Sequence, residues 1–342
     1  MPRSGSARLD PRIDRRPIRL AVVGTVALAL TIVASGCGAS DAGNVKSPEP
    51  GKPVVVATTG MVADLATHVA GEHVEVVTLM GPGVDPHLYK PTIADVRAIR
   101  DADLVLYSGL KLEEGLFRQF EAREKAGAAV AAVTRGIPQH ELLTPPDFEG
   151  HPDPHVWHDV ALWARCLDVV TDELAAIAPQ HEETFQRNAN GYRWLLQAED
   201  ERVRAAIATI PQKRRVLVTA HDAFGYFSRA YDIPVRSVQG VTTESEAGVA
   251  DVNALAKFLA DSGVPAIFAE TSVSDRAVKA VVEGANRRGG NVRISPTPLY
   301  SDALGARGSD AESYVGTIAA NVAAIVTELG GELPEGGLLP AE

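Results

Sequence analysis

The chain has 342 residues, 45% apolar and 23% charged, with a formal net charge of −11. That length allows two domains of ordinary size, and the composition is that of a globular protein. An acidic surplus argues against nucleic acid as a partner and is compatible with cations, although solubility alone would account for it.

The first 36 residues differ in kind. Arg3, Arg8, Arg12, Arg15, Arg16 and Arg19 form a basic segment, and Leu20–Val33 is an uncharged apolar run of 14 residues. A bilayer core needs about 20 residues, so this run suits a signal peptide rather than a membrane span. Six arginines against two aspartates give this segment +4, which leaves −15 on the rest of the chain. Ala34-Ser35-Gly36-Cys37 follows and resembles a bacterial lipobox, with Ala34 where leucine is usual. Cys37 is therefore the candidate lipid anchor; the plainer alternative is an ordinary cleaved signal with an incidental cysteine. Cys166, the other cysteine, lies in a helical pattern and is a poor disulfide partner. Residues 37–52, rich in Gly, Ser, Pro and Asp, read as a flexible tether.

From Val54 onward, strand and helix patterns alternate, which means a parallel sheet covered on both faces. Strands are expected at Val54–Ala57, Val74–Leu79, Leu104–Ser108 and Ala129–Val133. Helices are expected over Met61–Ala70, from Thr92 to about Asp101 with a Thr92/Asp95 capping box, and around Leu116–Lys125. Gly81-Pro82-Gly83 lacks the third glycine of a phosphate-binding fingerprint and reads as a loop that presents Asp85-Pro86-His87. The proline-punctuated segment Gly136–Pro152 delivers Asp153-Pro154-His155-Val156-Trp157-His158-Asp159. Asp159 can cap a helix whose Trp163, Cys166, Leu167, Val170 and Leu174 make one apolar stripe, with Cys166 a packed thiol. A helical stretch over about Gln180–Thr209, interrupted only by Gly191, reads as a connector between lobes.

The second half begins as the first does. Val216–Asp222 aligns with Val54–Gly60, and each is followed by a helix and a strand ending in glycine. Helices at Ala250–Asp261 and Asp275–Arg287 alternate with strands at Ala266–Glu270 and Val292–Ser295. Ser309 with Glu312 forms an expected capping box for the last helix, which Gly330-Gly331 stops. The expected fold is α/β: two similar parallel-sheet lobes facing each other across a cleft, with boundaries at 53–178, 179–211 for the linking helix, 212–330, and a tail over 331–342.

Two Asp-Pro-His tripeptides, each opening a helical pattern, look like two ligands delivered to one point. His221, at the carboxyl end of the first strand of lobe two, and Asp302, in Tyr300-Ser301-Asp302, are the further donors expected there. Neutral imidazoles with one carboxylate suit zinc and other late first-row divalent ions. Each ligand histidine should donate its other ring N–H to an acceptor, for which Glu270 is a candidate. His68, His73, His140 and His181 read as surface or packed side chains. His151 and His158 flank the motif without an assigned role, and Glu244 and Glu246 read as a solvated approach to a helix.

These motifs, with Thr219-Ala220-His221-Asp222-Ala223-Phe224-Gly225-Tyr226-Phe227 and Tyr300–Ala303, resemble the metal-binding lipoproteins of bacterial ABC importers. Within that zinc/manganese solute-binding cluster the match is to the TroA-like branch, and it spans Val54 to Leu329. The resemblance implies metal held between two α/β lobes by His87, His155, His221 and Asp302, zinc or manganese being the transported ligand. Some relatives carry glutamate at the His221 position, and His158 departs from the hydrophobic residue usual at its place. An ABC permease with its ATPase, a membrane reached through the lipid anchor, an extracytoplasmic location and a monomeric state are implied as well. Two competing readings are a zinc-dependent hydrolase and a surface adhesin on the same scaffold. His-Glu-x-x-His, Gly-x-Ser-x-Gly and phosphate-loop motifs are all missing, which weighs against the hydrolase. Gly127–Gly150 contains only His140, so the His-rich loop of zinc-specific relatives is missing and the two metals are not separated.

Overall fold

The computed structural model describes residues 51–338 apart from 147 and 336, all within one compact unit. The expected signal segment, Cys37, the tether up to residue 50 and the last four residues of the expected tail lie outside the described residues.

In lobe one, β1 (Val54–Ala57), β2 (Glu75–Thr78), β3 (Leu104–Tyr107) and β4 (Ala129–Ala132) run parallel in the order β2-β1-β3-β4. Val55 lies opposite Val76 on one side and Leu104 on the other. Successive side chains point to opposite faces of a strand. Val55, Ala57, Leu104 and Leu106 accordingly enter the main core under α1 (Gly60–Ala70), while Val56 and Val105 join Met80, Ile99, Leu116 and Phe120 in a smaller one. That second core sits beneath α2 (Ile93–Asp101) and α3 (Phe117–Lys125). Thr92 and Asp95 exchange the two capping bonds expected of them.

The stripe from Trp163 to Leu174 is fully buried but belongs to two helices, α4 (Val160–Trp163) and α5 (Cys166–Ile177). Tight i→i+3 bonds, Arg165 to Leu162 and Leu167 to Ala164, break the helix without moving the stripe off the core. Burial raises the pKa of the Cys166 thiol, as expected of a packed side chain. The connector α6 (Glu182–Ala208) is a single helix of 27 residues, roughly 40 Å long. It starts after a 3-10 turn at Pro179–His181, and Gly191 does not interrupt it. Phe185, Tyr192, Leu196 and Val203 on α6 join one continuous apolar core that includes residues of both lobes.

Lobe two repeats the plan with shorter strands. β5 (Leu217–Thr219) pairs with β6 (Val235–Ser237), and β7 (Ala266–Ile267) with β8 (Arg293–Ile294), all parallel. The Phe268 N–H donates to the Val218 carbonyl at 2.8 Å, which joins the two pairs in the order β6-β5-β7-β8, the counterpart of lobe one. The strands expected to run to Glu270 and Ser295 stop early. Pro296 and Pro298 lack N–H donors, so regular pairing ends at Ile294 and resumes only as an isolated bridge between Glu270 and Leu299. Helices α7 (Gly225–Tyr231), α8 (Val249–Ser262), α9 (Arg276–Arg287) and α10 (Tyr314–Leu329) complete the lobe.

The expected Ser309/Glu312 capping box is not formed. Ser313 caps α10 by accepting from Gly316 N–H, and Glu312 instead accepts from Gly308 N–H. A tertiary contact sets this start: the Tyr314 N–H donates to Asp64 on α1 at 3.0 Å.

Candidate metal centre

The repeated Asp-Pro-His tripeptide is a local device. In both copies the aspartate Oδ1 accepts the backbone N–H of the histidine two residues on, at 2.9 Å for Asp85–His87 and 2.9 Å for Asp153–His155. Proline between them fixes φ, so the turn presents the imidazole in one direction. Lobe one therefore supplies His87 after β2 and His155 from the loop before α4. At the Gly115 turn a Cβ would stand 2.1 Å from the Tyr89 carbonyl, so only glycine lets that turn press against the segment carrying His87. Lobe two supplies His221 after β5 and Asp302 just beyond the Leu299 bridge. All four lie beyond strand carboxyl ends or in the loops there, the edge at which open α/β sheets hold ligands.

The structure brings all four together. One donor atom from each of His87, His155, His221 and Asp302 lies within 4.8 Å of every other, and all four side chains are buried. His87 Nε2 is 3.2 Å from His155 Nε2; His155 Nε2 is 3.4 Å from Asp302 Oδ1 and His221 Nε2 is 3.4 Å from Asp302 Oδ2. A tetrahedral ion with bonds of about 2.0–2.1 Å has ligand-to-ligand edges of about 3.3–3.4 Å; the His87–His155 and His155–Asp302 Oδ1 separations are close to that, and donors all within 4.8 Å of one another could hold such an ion. His221 Nε2 and Asp302 Oδ1 have no hydrogen-bond partner among the described residues despite full burial, a costly state unless something else occupies their lone pairs.

Outer partners aim these donors. Asp153 Oδ1 accepts from His155 Nδ1 at 2.8 Å, and Glu270 Oε2 accepts from His221 Nδ1 at 2.5 Å. In the neutral ring each bond places the proton on Nδ1 and leaves Nε2 as the lone pair that an ion would take. Glu270, expected from its place at a strand end, also accepts from the N–H groups of Ala220 and His221. Ser272 and Ser301 hydroxyls both donate to Asp302 Oδ2.

Charge follows the same plan. Burial and the neighbouring imidazoles of His155 and His221 hold the His87 pKa down to about 3. Burial also opposes charge on His155, but its hydrogen bond to Asp153 and the negative charges of Asp153 and of Asp302, 3.4 Å away, push its pKa up to about 9. For His221 burial is outweighed by Glu270 and Asp302, and the pKa lies well above the usual imidazole value. Asp302, although buried, is held well below the carboxylate range by His221 and His155. Without an ion, protons take the positive place among three carboxylates.

The remaining histidines stay outside. His73 stacks on His181 at 3.9 Å, His68 on Tyr192 at 3.8 Å, and His140 is exposed. Glu246 is exposed; His151 and Glu244 line a cavity of about 310 Å³ that reaches His87. His158 is buried, and burial beside His155 holds its pKa down to about 3. Thr243 and Ser272 were not visible from the sequence as parts of this site; Ser272 holds Asp302. Asp85 Oδ2 accepts from the Thr243 hydroxyl of lobe two at 2.6 Å, a bond across the cleft beside His87. Only the Asp-Pro-His turn hinted that Asp85 had a role; nothing local marks Thr243.

A family model described as zinc-uptake complex component A, periplasmic (ZnuA), matches residues 55–328. The chain belongs to this family. A ZnuA-family chain is a component of an uptake complex, not an enzyme. Among relatives, the manganese-binding lipoprotein MntA of Bacillus subtilis (strain 168) is 42% identical over 306 residues, covering 88% of this chain and 97% of that protein. The zinc-binding protein TroA of Treponema pallidum (strain Nichols) is 42% identical over 287 residues, covering 84% of this chain and 92% of that protein. The solved structure of periplasmic TroA matches with a TM-score of 0.78, over 82% of this chain and 99% of that one. The ZnuA-family architecture is thus the expected one, two parallel-sheet α/β lobes joined by a long helix.

Proposed function

We propose that this protein is the extracytoplasmic substrate-binding lipoprotein of a metal ABC importer. It captures divalent zinc or manganese with His87, His155, His221 and Asp302 and delivers it to a membrane permease driven by an ATPase. Lobe one spans 53–178, the linking helix 179–211 and lobe two 212–330, and Cys37 carries the lipid that keeps the monomer at the membrane. The observation that supports this most is the meeting of four buried donors from four separate loops, one atom of each within 4.8 Å of every other. Ligands drawn from both lobes make ion capture and lobe geometry one equilibrium, which a permease can sense.

Relatives named for manganese and for zinc are both 42% identical, so either ion suits this reading. Equilibrium affinity in such a site favours zinc over manganese. Metal analysis of the purified protein should find one ion per chain. His155→Ala should lower affinity sharply while the fold survives; unchanged stoichiometry and affinity in that variant would remove His155 from the site.

A further inference from the structure

His158 is buried beside the centre, yet none of the roles above uses it. Its Nε2 lies 3.1 Å from the Ser301 carbonyl oxygen, so the neutral ring donates there. The Trp157 indole Nε1–H donates to the same oxygen at 2.8 Å. A carbonyl oxygen has two lone pairs. Here both are taken by adjacent side chains of lobe one, while the carbonyl belongs to lobe two, immediately before Asp302.

Packing alone does not account for an imidazole at this position. The ring lies against Phe224 at 4.2 Å, and its Nδ1 has no hydrogen-bond partner among the described residues. An apolar side chain would fill the same space without stranding a buried nitrogen. What the imidazole adds is the bond to Ser301. Two further bonds, from the Ser272 and Ser301 hydroxyls, hold Oδ2 of the next residue, Asp302. Backbone and carboxylate are thereby fixed with Oδ1 3.4 Å from His155 Nε2, a tetrahedral edge.

We propose that His158 is a positioning and specificity-determining residue of the metal site. With Trp157 it clamps the Ser301 carbonyl, keeps the Asp302 carboxylate at close range, and so favours zinc over manganese. Zinc accepts four ligands at short distance, whereas manganese prefers an oxygen-rich shell of higher coordination number and needs the carboxylate to turn or back away. A looser Asp302 therefore costs zinc more than manganese.

This inference rests on the metal reading above, and its test separates the two. Zinc and manganese affinities of the mature chain are measured by competition with a chromophoric chelator, for wild type, His158→Phe and His158→Gln, together with melting of the metal-free proteins. His158→Phe should weaken zinc about fivefold, the worth of one neutral hydrogen bond, and manganese by less than about twofold. His158→Gln, whose amide N–H can reach the same carbonyl, should restore most of the zinc affinity. If His158→Phe does not fold, His158→Leu makes the same comparison. Equal affinities in wild type and the apolar variant, an equal loss for both metals, or no rescue by glutamine would overturn the clamp while leaving the site intact. Wild type that binds neither ion would overturn the site itself, and the clamp with it.

Discussion

Glu270→Gln isolates what an outer carboxylate contributes to this centre. Glu270 Oε1 accepts from Ala220 N–H at 2.8 Å and His221 N–H at 3.0 Å, and Oε2 accepts from the His221 ring Nδ1–H. Glutamine can keep both backbone bonds through its own oxygen. Its amide nitrogen then faces Nδ1, donor against donor. The conflict is relieved when the ring proton moves to Nε2, the atom that must face the ion as a lone pair. Replacing such an outer partner typically costs 10–100-fold in metal affinity, about 1.4–2.7 kcal/mol. The metal-free fold should lose about 1.5–3 kcal/mol, since the bond replaced joins a buried carboxylate to an imidazole that it holds protonated. Chelator competition reads the affinity, and melting with and without metal separates binding from folding. Wild-type affinity in Glu270→Gln would refute the tautomer argument.

Proton release follows from the raised histidines. His155, with its pKa pushed up to about 9, holds a proton at neutral pH that an incoming ion must displace. Affinity should therefore rise with pH toward about 9, and calorimetry at neutral pH in buffers of different ionisation enthalpy should find about one proton or more released per ion. No release would contradict the charge scheme. In the metal-free protein the same shift adds stability that is complete below the ordinary 6.5 and lost as pH rises through about 9, so Tm should fall across that window. Glu199, buried in α6, has its pKa pushed up to about 7 by burial against the pull of Arg202. Its ionisation destabilises the fold as pH rises from 4.5 through about 7, so Glu199→Gln should raise Tm more above that window than below it; equal shifts at both ends would count against this. Cys37→Ala should release the protein from membrane fractions, and continued co-sedimentation would exclude the lipid anchor.

What could be read from residues alone was whatever closes within a few positions. The Asp-Pro-His turns, the Thr92 cap and the alternation that splits Val55 from Val56 between two cores all depend on neighbours one to three residues away. The order of loops along the chain likewise marked four candidate donors, which the fold brings within 4.8 Å of one another. Contacts between distant segments had no such signature. A serine and glutamate spaced for a capping box at Ser309 lost to Ser313, because Asp64 captures the Tyr314 N–H from 250 residues away. The Thr243 bond to Asp85 and the double donation to the Ser301 carbonyl join segments separated by 158, 144 and 143 residues. Hydrogen-bond direction and distance at those points are set by how the two lobes seat on one shared core. Local propensity and spacing carry no information about that seating, so only the folded chain could decide it.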